Sequence, residues 1–176
     1  MSGFIIFIHC LFLLLSQQKF TCKIHLMVNN DFIISTDKTK IDVEIVHNYL
    51  SKESYWAKNI PLNIVTTAIE NSFCFGVYKK EASNALKQIG FARVITDKAT
   101  FAYLADVFII AAYRGKGLSK WLLHEIMNHP ELQGLRGWML GTKDAHSLYE
   151  QFGFKRLVNS ERIMRLSLMD GYPEVK

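Results

Sequence analysis

The sequence predicts an α+β fold: a mixed, mostly antiparallel sheet with one βαβ crossover. Three observations carry the prediction. Residues 73–110 hold three apolar, β-branched or aromatic runs separated by short polar turns, the pattern of an antiparallel meander. Residues 106–127 then read as strand, glycine-basic turn and helix. A further short apolar run, 138–142, follows that helix and so lies parallel to the strand at 101–110.

The elements follow in order from Met27. Residues 32–36 form a first strand, ended by Thr36, Asp37 and Lys38. Residues 42–51 place Val43, Val46 and Leu50 on one helical face. Tyr55, Trp56 and Ala57 lie in a loop or helix end, and Pro61 suits the first turn of a second helix, striped by Ile64, Val65, Ala68 and Ile69. Residues 73–78 make a strand and 79–84 a polar turn. The meander continues through 86–95, a turn at Asp97-Lys98, and 101–110. Leu118, Leu122 and Ile126 recur at helical spacing, with Trp121 beside them, and 128–137 is a loop holding Pro130, Gly134 and Gly137. Asp144 is the expected N-cap of a helix 145–152, closed by Gly153. Residues 154–157 and 162–168 are expected as the last strands, and 170–176 as a tail.

Composition narrows the function. The 176 residues make one domain's worth of chain, with 49% hydrophobic and 21% charged residues, ordinary for a globular protein. The net charge of +5 comes from scattered basic residues with no stripe interleaved with aromatics, which argues against a nucleic-acid surface and for a solvated basic face plus one anion site. Cys10, Cys22 and Cys74 are odd in number and lack CxxC spacing. They fit neither a disulfide framework nor a zinc site, and they point to a reducing, cytoplasmic compartment. His124 and His129 have no partner at ligand spacing, so no metal is expected.

Residues 4–15 are a separate apolar run, shorter than the roughly 18 residues of a comfortable membrane span. The segment also lacks the charged n-region and small-residue cleavage site of a signal peptide. Three readings stay open: an upstream extension outside the functional domain, a real anchor, or a buried helix. Residues 1–26 are therefore set apart from a single domain at 27–176. A membrane partner is expected only under the anchor reading.

The chemistry concentrates at Tyr113-Arg114-Gly115-Lys116-Gly117. A new helix N-terminus offers unpaired N–H groups and the positive end of its dipole, and Gly115 and Gly117 admit an oxygen-bearing ligand close to the backbone. Arg114, Lys116 and Lys120 add positive charge. The spacing excludes GxxxxGK[ST], and Lys120 stands where GxGxxG needs its third glycine. What remains, Arg114-x-x-Gly117-x-Ser119, resembles motif A of the GNAT superfamily of acyl-CoA N-acyltransferases, Gln/Arg-x-x-Gly-x-Gly/Ala, with small Ser119 as a mild departure. Ala145-x-x-Leu148-Tyr149-x-x-x-Gly153-Phe154, about thirty residues later, resembles the family's second motif. Tyr55-Trp56-Ala57 and Asn59-Ile60-Pro61 are similar to a bacterial-type subgroup of small GNAT proteins.

The resemblance implies a GNAT fold with helices on both faces of the sheet and acetyl-CoA as co-substrate. Its pantetheine arm would lie where the strands at 104–110 and 138–142 splay, pairing with backbone groups of Phe108 and Ile109. The pyrophosphate would sit on the amides of Gly115, Lys116, Gly117, Leu118 and Ser119, with Arg114 and Lys120 nearby. The N–H of Ile109 would stabilise the oxyanion, and Tyr149 would protonate the leaving thiolate. A thiol near 8.5 and a phenol near 10 are close enough to share a proton. The acceptor would be a small-molecule or peptide primary amine attacking directly in a ternary complex. Such an amine, with pKa about 10.4, is neutral in roughly one molecule per few thousand at pH 7. Asp106 is the expected base, or else a carboxylate that only accepts hydrogen bonds; Glu150 and His146 stand behind it, and a water chain, as in other family members, is the alternative to any side-chain base. Tyr55 and Trp56 are expected to line the acceptor pocket or to pack in the core. A non-catalytic acyl-CoA-binding module is the alternative. The acceptor's identity and the oligomeric state, a homodimer included, stay open.

Overall fold

A computed structural model describes residues 31–158, 160–169 and 171–173. The apolar run at 4–15 lies outside the described residues. Strands β1 (Phe32–Ser35), β2 (Phe73–Lys80), β3 (Leu86–Thr96), β4 (Phe101–Ile109) and β5 (Gly137–Leu140) form one sheet in sequential order. The first four pair antiparallel; β4 and β5 are parallel, joined through helix α3 (Leu118–Met127). This is the predicted mixed α+β architecture.

Helices cover both faces because adjacent strand residues point opposite ways. Phe75, Val77 and Val94 turn toward α3 and helix α4 (His146–Glu150), packing on Leu118, Leu122, Ile126 and Tyr149. Cys74, Phe91 and Phe108 turn the other way, toward Val46 of α1 (Val43–Asn48) and Val65 and Ile69 of α2 (Leu62–Glu70). Helix α1 is capped by Asp42, whose carboxylate accepts from the Ile45 amide at 3.0 Å. Pro61 sits at the N-cap of α2, one place before the first turn predicted for it.

Four expectations are corrected. The helix at 42–51 is α-helical only to Asn48 and continues as a π turn, Tyr49–Glu53. There Ser51 and Ser54 hydroxyls bond back to the carbonyls of His47 and Leu50, and the Ser54 amide reaches Tyr49, five residues back. β2 runs two residues further than predicted, so its polar turn begins at Glu81. Asp144 does not cap α4; Thr142 Oγ1 accepts from the Ala145 amide instead. The described residues at 154–158 and 160–169 form no strand, and Met164, Leu166 and Leu168 are exposed. Their alternation matches a strand, but a strand requires a paired neighbour, which periodicity does not supply. The tail is not wholly free either, since Tyr172 packs against the α1–α2 core.

Gly90, on β3 opposite Ile109, leaves no room for a side chain. A Cβ there would lie 2.8 Å from the Phe108 carbonyl oxygen and 2.5 Å from Ile109 Cδ1. Gly90→Ala should cost about 1–3 kcal/mol, read as a lower denaturant midpoint at constant m-value, because a backbone atom must move.

Burial also holds three protons. It pushes the Cys74 thiol up to about 11 and the Tyr78 and Tyr149 phenols each up to about 12. In the unfolded chain these groups ionise lower, near 8.5 and 10. Above about pH 9 the unfolded state therefore binds fewer protons than the fold, and stability falls as pH rises. Each group contributes about 2–3 kcal/mol below its unfolded pKa, lost as pH climbs through its folded value. Denaturant midpoints at pH 7, 9 and 10.5 should fall across the last interval; a level series would contradict the buried protons.

Candidate active site

The site begins with a bulge in β4. Arg93 pairs with Ala105 and Phe91 with Phe108, so Asp106 and Val107 together oppose Ala92. Asp106 takes φ +54°, a left-handed conformation that asparagine and aspartate tolerate best. The extra residue flips the alternation: Ala102 and Leu104 face α3, whereas Phe108 faces α1 and α2. It also turns the Asp106 carboxylate to the α1–α2 side. There Oδ2 accepts from Arg93 Nε at 2.7 Å, and Oδ1 accepts from Trp56 Nε1 at 3.2 Å. Arg93 is held in turn, donating from Nη1 to Ser72 Oγ at 3.2 Å.

The bulge is also where the sheet opens. β4 and β5 stay paired only from Phe101–Gly137 to Leu104–Leu140, while β4 continues to Ile109. Ladder bonds alternate in direction, and the Ile110 amide donates to Ile89 on β3 at 2.8 Å. By that alternation Phe108 faces its peptide groups toward β3, and Ile109 faces its own away, into the gap. Phe108, expected to pair through its backbone, contributes its ring instead, stacked 3.8 Å from Tyr49 at an interplanar angle of 7°.

Beyond the gap the chain makes a short turn of 3₁₀-helix, Ala111–Tyr113, and enters the glycine bend. Gly115 and Gly117 both adopt φ +77°, and a Cβ at either would meet nothing within 4 Å, so the bend is an open cradle. Gly117 is the N-cap of α3. Among the described residues no acceptor bonds the amides of Gly117, Leu118 or Ser119. The Leu118 side chain is buried in the core, leaving its amide as the group it offers. Arg114 works locally: Nε donates to the Ile109 carbonyl and Nη2 to the Tyr49 hydroxyl, each at 2.9 Å. Lys116 Nζ lies 5.9 Å from the Phe32 ring centre and 5.8 Å from that of Tyr113, and Lys120 is exposed on the first turn of α3.

Tyr149 stands on α4, past β5. It lines a cavity of about 340 Å³ with Trp138, Leu140, Thr142 and His146, and Glu150 stands at its rim. Tyr55, half exposed, reaches across from the α1–α2 segment: its hydroxyl accepts from the Lys143 amide at 2.8 Å, just beyond β5. Trp56 meets Tyr55 edge-on at 5.0 Å. Among the described residues, no three His, Cys, Asp or Glu side chains gather as a metal site would need, and no helix is long and apolar enough to cross a membrane.

A protein of Gibberella zeae named as an acetyltransferase is 31% identical in an alignment 146 residues long, which covers 71% of this chain and 80% of that one. A family model described as an acetyltransferase (GNAT) domain matches residues 71–156, from the end of α2 through Tyr149. The chain belongs to the GNAT acetyltransferases. A solved GNAT-family acetyltransferase from Xanthomonas campestris is 44% identical, with a TM-score of 0.72 over 78% of this chain and 93% of that one. A Clostridium acetobutylicum acetyltransferase solved with acetyl-CoA shares the fold at 16% identity, with a TM-score of 0.57 over 78% of this chain and 95% of that one.

In this GNAT acetyltransferase the sequence-derived candidates fall into two groups. Ile109, Arg114 and the Gly115–Ser119 bend follow one another at the β4 side of the opening, whereas Tyr149 lies past β5, in a cavity that no β4 residue lines. Asp106 and Trp56 are joined to each other on the α1–α2 side, with Tyr55 over the gap. Arg93 and Tyr49 escaped the sequence reading. Arg93 looked like one residue of an alternating strand, and Tyr49 like the end of an ordinary helix; neither carries a local signal of its role.

Proposed function

We propose that this GNAT acetyltransferase moves an acetyl group from acetyl-CoA to a primary amine by direct attack in a ternary complex. The observation that carries the reading is the opening between β4 and β5, with the Ile109 amide facing into it and the open glycine N-terminus of α3 at its end.

Pantetheine runs along the freed edge of β4 at Ile109. The diphosphate rests on the amides of Gly117, Leu118 and Ser119, at the positive end of α3, with Lys116 and Lys120 as flanking cations. Arg114 serves by bracing the bend: tying the Ile109 carbonyl to Tyr49 leaves the Ile109 N–H aimed at the thioester oxygen. That N–H stabilises the charge developing on the carbonyl oxygen.

The ammonium of the acceptor docks at the Asp106 carboxylate and gives up one proton there, which passes to solvent. The neutral nitrogen attacks the carbonyl carbon, a C–N bond forms and the C–S bond breaks. The nitrogen sheds a second proton to solvent in becoming an amide, the sulfur gains one from Tyr149, and the phenolate left behind regains its proton from solvent. Burial keeps the Tyr149 phenol, raised to about 12, protonated throughout the neutral range. It is then a weaker acid than a thiol near 8.5, so its transfer to sulfur runs uphill and is completed only when solvent returns a proton to the phenolate.

Calorimetry of the full chain with acetyl-CoA, followed by thiol release across a panel of amines, tests the reading. Binding with turnover supports it. Binding without turnover on any amine would point to a cofactor-sensing module instead, and absence of binding would overturn both.

A further inference from the structure

A second cavity, of about 210 Å³, lies between the α1–α2 helices and the sheet, on the Asp106 side of β4. We propose that it is the acceptor's specificity pocket and that it selects primary amines carried on a compact apolar body, a phenylalkyl or branched alkyl group. This rests on the acetyl-transfer reading above.

Three features argue for it. The walls are aliphatic and aromatic: Leu50, Ile60, Val65, Ala68 and Phe91 among them. An apolar cavity of about 150 Å³ accommodates benzene, so this one has room for a ring and a short arm. The polar wall is the Arg93–Asp106 pair, in the bulge where β4 parts from β5. A carboxylate offers about four acceptor positions, and Arg93 and Trp56 occupy two, so Asp106 can still receive an ammonium. The third feature is the aromatic cluster beside that carboxylate: Trp56 lies 5.0 Å from Tyr55 and 6.5 Å from Tyr49, and such faces attract a cation. An amine entering with its head at Asp106 therefore has a charged end for its nitrogen and an apolar recess for its body.

The same walls disfavour polyamines. Among the described residues Asp106 is the one carboxylate lining the cavity, so a second ammonium would be left unpaired among aliphatic side chains. A small amine fits without filling the recess and forfeits the burial. Since one methylene in an apolar pocket is worth about tenfold or more, a phenylethyl body should gain roughly 100-fold over an ethyl one.

The test compares kcat/KM of the full chain for phenethylamine, isoamylamine, ethylamine and spermidine, with acetyl-CoA affinity measured separately. The apolar-bodied amines should exceed ethylamine and spermidine by roughly 100-fold. Ala68→Phe, which fills the recess from α2, should raise the phenethylamine KM at least about tenfold while the acetyl-CoA Kd stays within about twofold. Ile64→Asp, at an exposed rim position, should move the preference toward spermidine. Acetyl-CoA binding with spermidine or ethylamine preferred by the unaltered chain overturns this inference alone, whether or not the variants fold. Absence of acetyl-CoA binding overturns it together with the reading it rests on.

Discussion

Tyr149→Phe should lower kcat by about 100- to 1,000-fold while acetyl-CoA binds within about twofold of its original affinity. The substitution removes one oxygen from a ring that is otherwise buried in the α3–α4 core and meets Phe154 edge-on at 5.9 Å. The core contacts survive, so the denaturant midpoint at pH 7 should change little. A proton-donating role therefore separates cleanly from a packing role: the first lowers turnover, and the second lowers stability. The pH profile gives a second check. With its phenol raised to about 12, Tyr149 should produce no alkaline decline in activity between pH 7 and 10, apart from the loss of fold described above. A variant retaining full turnover would remove Tyr149 from the mechanism.

Gly117→Asp should weaken acetyl-CoA binding by about 100-fold or more. The position combines φ +77°, free space where a Cβ would go, and a place at the head of α3 beside amides that find no acceptor among the described residues. Aspartate tolerates the left-handed backbone better than most residues, so the fold should lose only about 1–2 kcal/mol. Its carboxylate, however, would compete for the Ser119 and Lys120 amides and repel the diphosphate from the same spot. The effect should appear in Kd by calorimetry and shrink as salt is added. If affinity stayed within threefold, the diphosphate would have to be held elsewhere.

These two positions were the legible ones. Arg114-x-x-Gly117-x-Ser119 and the Tyr149 motif are spacings within one turn or one helix, and their chemistry follows from neighbours in the chain. The same holds for the order of elements through residue 152, since period-2 and period-3.6 patterns are local. The last strands were misread for a related reason. The alternation at 162–168 is real in the sequence, but a strand also requires a neighbour's hydrogen bonds.

The sequence by itself determined that strand, glycine bend and helix meet at residues 106–127, because glycine conformation, apolar periodicity and helix-end chemistry are properties of adjacent residues. Only the tertiary structure decided what Asp106 and Arg114 do. Asp106 was expected as a base, and the fold bonds its carboxylate to Arg93, thirteen residues away, and to Trp56, fifty away. Arg114 was expected to add charge near the phosphates, and the fold ties it to Ile109 and to Tyr49, sixty-five residues earlier. Those partners come together through the bulge in β4 and the π turn after α1. Each depends on how non-local side chains pack, and no window along the chain contains that information.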